Sequence, residues 1–170
     1  MINLYDATIP VFTKHLLQID KWLDKATALA DQKKFDPEVL TVARLAPDQY
    51  SLTRQIQAAC DQTKFTASKL AGKEAPKNPD TETTISQLRT RIETAVAYLR
   101  TFTKEDFVGA EDRSITYAWM GGKSMRGGDY LDHMALPNLH FHLTTAYAIL
   151  RHNGVPLSKS DYIGDVPFAK

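Results

Sequence analysis

A single cysteine, Cys60, in 170 residues leaves no internal disulfide to staple the chain and suits a reducing, cytoplasmic setting. No apolar run approaches the roughly 18 residues of a membrane helix. Met1 leads into INLYDATIPVF, which has neither the basic region nor the apolar core of a secretory signal, so neither a membrane span nor export is expected. Charge of one sign is also missing: 21 Lys and Arg against 20 Asp and Glu leave a net +1. Phosphate neutralisation needs clustered basic residues, so no nucleic-acid partner is expected. Internal repeats and low-complexity segments are absent too. What remains is a chain with 43% hydrophobic and 24% charged residues, enough for one domain over residues 1–170 with a full core.

The dominant pattern is helical. From Leu4 to about Lys34, apolar side chains at Ile9, Phe12, Leu16, Ile19, Leu23 and Ala26 make one stripe at spacings of three and four. Pro10 belongs near the start of this helix, or else kinks it. After a short turn in FDPEVLTVARLAPD, Pro47 and Asp48 suit the first turn of a second helix that stops at Gly72. KEAPKNPDTE reads as a polar linker in which Asp80 or Thr81 caps a third helix. That helix carries Ile85, Leu88, Ile92, Val96 and Leu99 and ends near Thr103. RSITYAW is β-prone and GGKSMRGGDY is glycine-rich, so a short hairpin or glycine-rich loop precedes a fourth helix from about Asp129 to Asn153. Pro137 should kink it, and Gly154 stops it. The expected class is all-α, a four-helix bundle.

Three of the five histidines lie in LPNLHFHLTTAYAILRHNGVPL (136–157), two as His140-Phe141-His142. Residues two apart on an α-helix point about 200° apart, so these two imidazoles do not clip one metal. The helical neighbour of His142 is Asn138, one turn earlier on the same face, which continues inward through Thr145, Ala146 and Ile149. His140, Thr144, Tyr147 and Arg151 form a more polar stripe for the surface or a subunit contact. On the second helix Leu52, Ile56, Ala59 and Thr63 mark the inner face, with Gln55 beside it and Gln57 and Asp61 further round. Asn138 and Gln55 either satisfy a core histidine or line a pocket with it. His15 reads as a core or boundary residue, His133 as a cap at the kink, and His152 as a partner of the helix dipole.

Two further motifs fail on inspection. Gly122-Lys123-Ser124 ends like a phosphate-binding loop, but the glycine required five positions before Gly122 is Tyr117. Cys60 reads as a small buried residue rather than a nucleophile.

The segments GGDYLDHMALPNLHFHLTTAYAILRHNGVPLSKSDYIG (127–164) and APDQYSLTRQIQAACDQTKFTASKLAG (46–72) resemble the DUF1993 family, and the similarity runs over essentially the whole chain. That family sits in the DinB/YfiT-like superfamily of four-helix bundles. The resemblance implies this fold, a homodimer, and a pocket where relatives hold a divalent metal, some of them for thiol-dependent transfer or isomerisation. The superfamily's metal pattern is one histidine on the second helix and an HxxxH pair on the fourth. Aligned here, those positions become Gln55, Asn138 and His142, a degenerate Gln/Asn/His pocket in which His142 alone keeps its imidazole. Carboxamide oxygens are weak neutral ligands for zinc or nickel. Three functions follow as expectations. The first is a metal-free pocket that binds a small molecule, with His142 orienting it or exchanging a proton. The second is a zinc- or nickel-dependent enzyme with His142 as primary ligand and Asp61 or Asp129 completing the shell. The third is a non-catalytic dimeric interaction protein whose polar cluster fixes helix register.

Overall fold

In the computed structural model, residues 3–168 are described, and the expected domain limits at 1 and 170 lie outside them. The apolar stripes become four long helices: α1 (Leu4–Lys33), α2 (Leu52–Ala71), α3 (Ile85–Leu99) and, after a short α4 (Gly127–Tyr130), α5 (Leu136–His152). A further short helix, α6, spans Lys159–Ile163. Helix α2 is the hub, packed on α3 and α5, while α1 closes the bundle against α3, α2 and α5. The α1 stripe is buried as the spacing requires, and Leu16, Ile56, Leu88 and Leu143, one from each long helix, belong to one core with no exposed surface. The expected hairpin forms as β1 (Ser114–Ile115) and β2 (Met125–Arg126), antiparallel with Ile115 opposite Met125. All-α architecture with a small hairpin ahead of the last long helix is therefore what the chain adopts.

Several element boundaries differ from the sequence reading, each for a local reason. Helix α1 starts a turn and a half before Pro10, because Asn3 caps it by accepting the Tyr5 N–H at 2.8 Å. Pro10 is exposed, so the carbonyl it leaves unpaired faces water. Helix α2 begins at Leu52 rather than at Pro47 and Asp48. The N–H groups of Leu52 and Thr53 are taken by the carbonyls of Ala43 and Thr41, which fixes the first turn there. The helix ends at Gly72 in the left-handed conformation, as expected. Helix α3 is capped by Thr84 in a reciprocal box with Gln87, not by Asp80 or Thr81, and ends at Leu99, short of Thr103.

Residues 73–84 are no free linker. Arg91, whose side chain is 3% exposed, reaches Asp61 at 2.9 Å, Glu82 at 3.0 Å and Asp80 at 3.2 Å. Lys64, equally buried, holds Asp61 at 2.9 Å and donates to Asn78 Oδ1 at 2.6 Å. Arg54 takes the remaining side of Asp80, and Gln57 donates to Glu82. Three cations thus meet three carboxylates and bind the segment across α2 and α3.

Just ahead of Pro137 the α-helical hydrogen-bond ladder is interrupted. Leu131–Ala135 forms a π turn in which the Leu136 N–H reaches back to the Leu131 carbonyl. Joined by this turn, α4 and α5 form an unbroken helical segment that starts at Gly127 rather than Asp129. A side chain at Gly127 would meet the Ala110 carbonyl oxygen at 1.9 Å, so glycine is required where the hairpin turns into that segment. The π turn also sets register. In an unbroken α-helix Tyr130 and Asn138 would stand about 80° apart; one extra residue in the turn brings them within about 20°.

Candidate functional site

Side chains from α2 and α5 meet on the stripe that the π turn aligns. Gln55 is completely buried. Its Oε1 lies 2.7 Å from His142 Nδ1, and its Nε2 donates to the Tyr50 carbonyl at 3.3 Å. With the amide nitrogen committed to that carbonyl, Oε1 is an acceptor, so His142 carries its proton on Nδ1. His142 is half-buried, and desolvation lowers its pKa from the ordinary histidine value. The imidazole is therefore neutral at pH 7 with its lone pair on Nε2. No protein partner for Nε2 exists among the described residues, nor is any buried side-chain nitrogen or oxygen left unpaired, so Nε2 lies at the solvent-reached edge of the ring. The Tyr50 ring is nearly parallel to His142, 6.5 Å between centroids, and Phe141 stands edge-on at 5.4 Å. Both flanking rings are about half exposed, Tyr50 at 49% and Phe141 at 53%. Arg54 lies over the Tyr50 ring, 5.4 Å from its centroid.

Asn138 shares this stripe but does not bond Gln55 or His142. It donates through Nδ2 to Gln62 Oε1 at 2.6 Å. The line continues from Gln62 to Thr66 at 3.0 Å, from Thr66 to the Tyr130 hydroxyl at 3.3 Å, and on to the Tyr117 hydroxyl at 2.7 Å. Tyr130 is wholly buried, and burial with the Tyr130 bond pushes the Tyr117 phenol far up. Gln62, Thr66, Tyr130 and Tyr117 were not singled out in the sequence. Their signal was the α2 spacing Gln55-Gln62-Thr66, a polar row on a face that also packs apolar residues.

The pair Gln55–His142 is thus one unit, and Asn138–Gln62 a second, one turn away on α5 and two turns away on α2. Neither forms a metal shell. His142 is the only imidazole of the three, Gln55 Oε1 is taken by His142 Nδ1, Asn138 is turned to Gln62, and no group of three His, Cys, Asp or Glu side chains is gathered among the described residues. Asp61 is held on the α3 side by Arg91 and Lys64, and Asp129 is exposed on α4, so neither faces His142. The residues present do not fit a zinc or nickel centre at this place.

The remaining sequence candidates are placed as follows. Cys60 is buried and desolvation pushes its thiol up to about 12, which makes it unreactive. His133 is exposed on the π turn, and His152 stands in the last turn of α5. Gly121 and Gly122 lie in the tip between β1 and β2, not between a strand and a helix. His15 and His140 lie together on the far side of α5.

A closely similar solved structure fixes the class. The chain is 44% identical to a DinB family member protein from Shewanella denitrificans, with a TM-score of 0.95 over 98% of this chain and 95% of that one. The fold is DinB-like. The family model of a domain of unknown function, DUF1993, matches residues 4–163, and the chain belongs to that family. Among curated proteins no match is found.

Proposed function

We propose that this chain is a DinB-like bundle that uses no metal at the inherited position and instead binds a small molecule at the open edge of His142. The observation that carries this reading is the 2.7 Å contact between Gln55 Oε1 and His142 Nδ1. A buried amide there holds the ring orientation and the tautomer, and leaves Nε2 as a fixed acceptor. A ligand with an O–H or N–H donor would bond Nε2, while its apolar part would lie against Tyr50 and Phe141. A neutral imidazole so oriented also takes a proton from a bound group of matching acidity.

The test is a thermal-shift screen of small hydroxyl- and N–H-bearing compounds against wild type and His142→Ala. Compounds that raise the melting temperature of wild type but leave His142→Ala unmoved support the reading, since a ligand stabilises only the state that binds it. Hits that stabilise both proteins equally would place the ligand elsewhere and overturn it. Stoichiometric zinc or nickel in untagged wild type, lost in His142→Ala, would replace it with the metalloenzyme reading.

A further inference from the structure

Asn138 precedes His142 by one helical turn on α5, so the two side chains stand on one stripe with roughly 5–6 Å between their Cβ atoms. Both are half-buried, and both spend a donor on α2. His142 gives Nδ1–H to Gln55 Oε1, and Asn138 gives Nδ2–H to Gln62 Oε1. The Gln62 amide is oriented by its other neighbour. Its Nε2 donates to Thr66 Oγ1 at 3.0 Å, so its oxygen is the end that meets Asn138. Asn138 Oδ1 is thereby left, like His142 Nε2, as an acceptor with no protein donor among the described residues. No buried side-chain nitrogen or oxygen is unpaired, so this oxygen too lies where solvent reaches it. Hydrogen bonds in a line polarise one another, and donation through Nδ2 makes Oδ1 the stronger acceptor.

Charge narrows what such a pair can hold. Arg54, the cation beside Tyr50, is already committed to Asp80 and Gln57. Asp61 is held on the α3 side, and Asp129 does not face His142. What a ligand meets is two neutral acceptors flanked by the half-exposed rings of Tyr50 and Phe141. An anion would set its lone pairs against theirs. A cation would find no carboxylate there to offset its lost hydration.

We propose that the small molecule held at His142 is a neutral diol whose two hydroxyls stand roughly 6 Å apart, one donating to His142 Nε2 and the other to Asn138 Oδ1. This inference rests on the pocket reading above and adds Asn138 as the second anchor. The carbon skeleton between the hydroxyls lies against Tyr50 and Phe141. A mono-alcohol of the same shape covers Asn138 Oδ1 without giving it a donor, and a site built for a hydroxyl rejects the analogue that lacks it.

The probe is trans-cyclohexane-1,4-diol, titrated into the untagged full chain at neutral pH beside cyclohexanol and the dimethyl ether of the diol. The readouts are the His142 ring carbon–proton signal and the Asn138 side-chain amide signals of wild type, which need no variant to fold. Saturable millimolar binding of the diol should move both sets. Cyclohexanol should bind about fivefold more weakly or worse and move His142 alone, and the ether should not bind. Asn138→Ala should bring the diol down to the affinity of cyclohexanol, and His142→Ala should weaken both alcohols. Equal affinity for the two alcohols in wild type, lost in His142→Ala, would overturn the diol inference and leave the pocket reading standing. Diol binding that His142→Ala leaves unchanged would overturn both. Absence of saturable diol binding, or an ether that binds as well as the diol, overturns this inference alone, while the thermal-shift screen decides the pocket reading.

Discussion

His140 and His142 are separated by one residue on α5 and serve different helices. His142 bonds Gln55 of α2, whereas His140 abuts His15 of α1 and Tyr162 of α6. The 3.6-residue turn puts them on opposite sides of α5. Each therefore has its own electrostatic surroundings, and a substitution at one reports on one side only.

Replacing Gln55 with Leu removes the acceptor that fixes the His142 tautomer. Nitrogen-detected spectra should show wild-type His142 with its proton on Nδ1 near neutral pH, and a tautomer mixture in Gln55→Leu. The stability cost should be about 1–3 kcal/mol, the range for stranding a buried hydrogen-bonding group. An unchanged tautomer would mean that another group holds the ring.

Arg91 is the keystone of the ion cluster. Arg91→Ala leaves Asp61, Asp80 and Glu82 short of their shared cation, and urea unfolding should show a loss of about 3–5 kcal/mol. Arg91→Lys keeps the charge but not the planar fork that reaches three carboxylates, so it should recover only part. Limited proteolysis should cut both variants faster within residues 73–84 than wild type.

Stability should fall with acid in a defined window because of His15. Its folded pKa, about 4, is below the ordinary 6.5 it regains on unfolding. Above about pH 6.5 the ring is neutral in both states and contributes no slope. Between about 6.5 and 4 the unfolded chain takes up a proton that the folded chain refuses, so stability drops as pH falls. Desolvation of His142 acts in the same direction. Urea midpoints across this window should decline for wild type and less steeply for His15→Gln; parallel curves would refute the assignment.

Deleting Asp132, an exposed residue of the π turn, should convert that turn to ordinary α-helix. The helical segment would survive, but Tyr130 would rotate by about 100° relative to Asn138. The Thr66–Tyr130 and Tyr130–Tyr117 bonds should break, with lower thermal stability and a changed near-ultraviolet signal. The Gln55–His142 tautomer should persist, since His142 follows the deletion and Gln55 lies on the separate helix α2.

The long helices were legible because burial imposes its period on the sequence, and α1 and α5 show it plainly. The Gln55–His142 pair was legible for the same reason: both positions border apolar stripes on helices that must face each other. The π turn was not. Pro137 announced a disturbance, but whether a helix bends or accommodates an extra residue depends on what Tyr130 and Asn138 meet on α2. The role of residues 73–84 was hidden because Asp80 and Glu82 look like solvated linker charges until Arg91 is placed. The sign was there in Arg91 itself, a charge set between Leu88 and Ala95 in an apolar stripe. The His15–His140 contact joins residues 125 positions apart on separate helices, and no local pattern reports such a meeting.

Cys60 gives the protein a built-in clock. The chain's one thiol lies buried in α2 beside the seam with α3, and it is protonated throughout the neutral range. The thiol ionises and meets an alkylating reagent only in molecules that have opened. Its labelling rate under native conditions therefore reports the population of the opened seam, or the opening rate itself where alkylation outpaces reclosing, without any engineered probe.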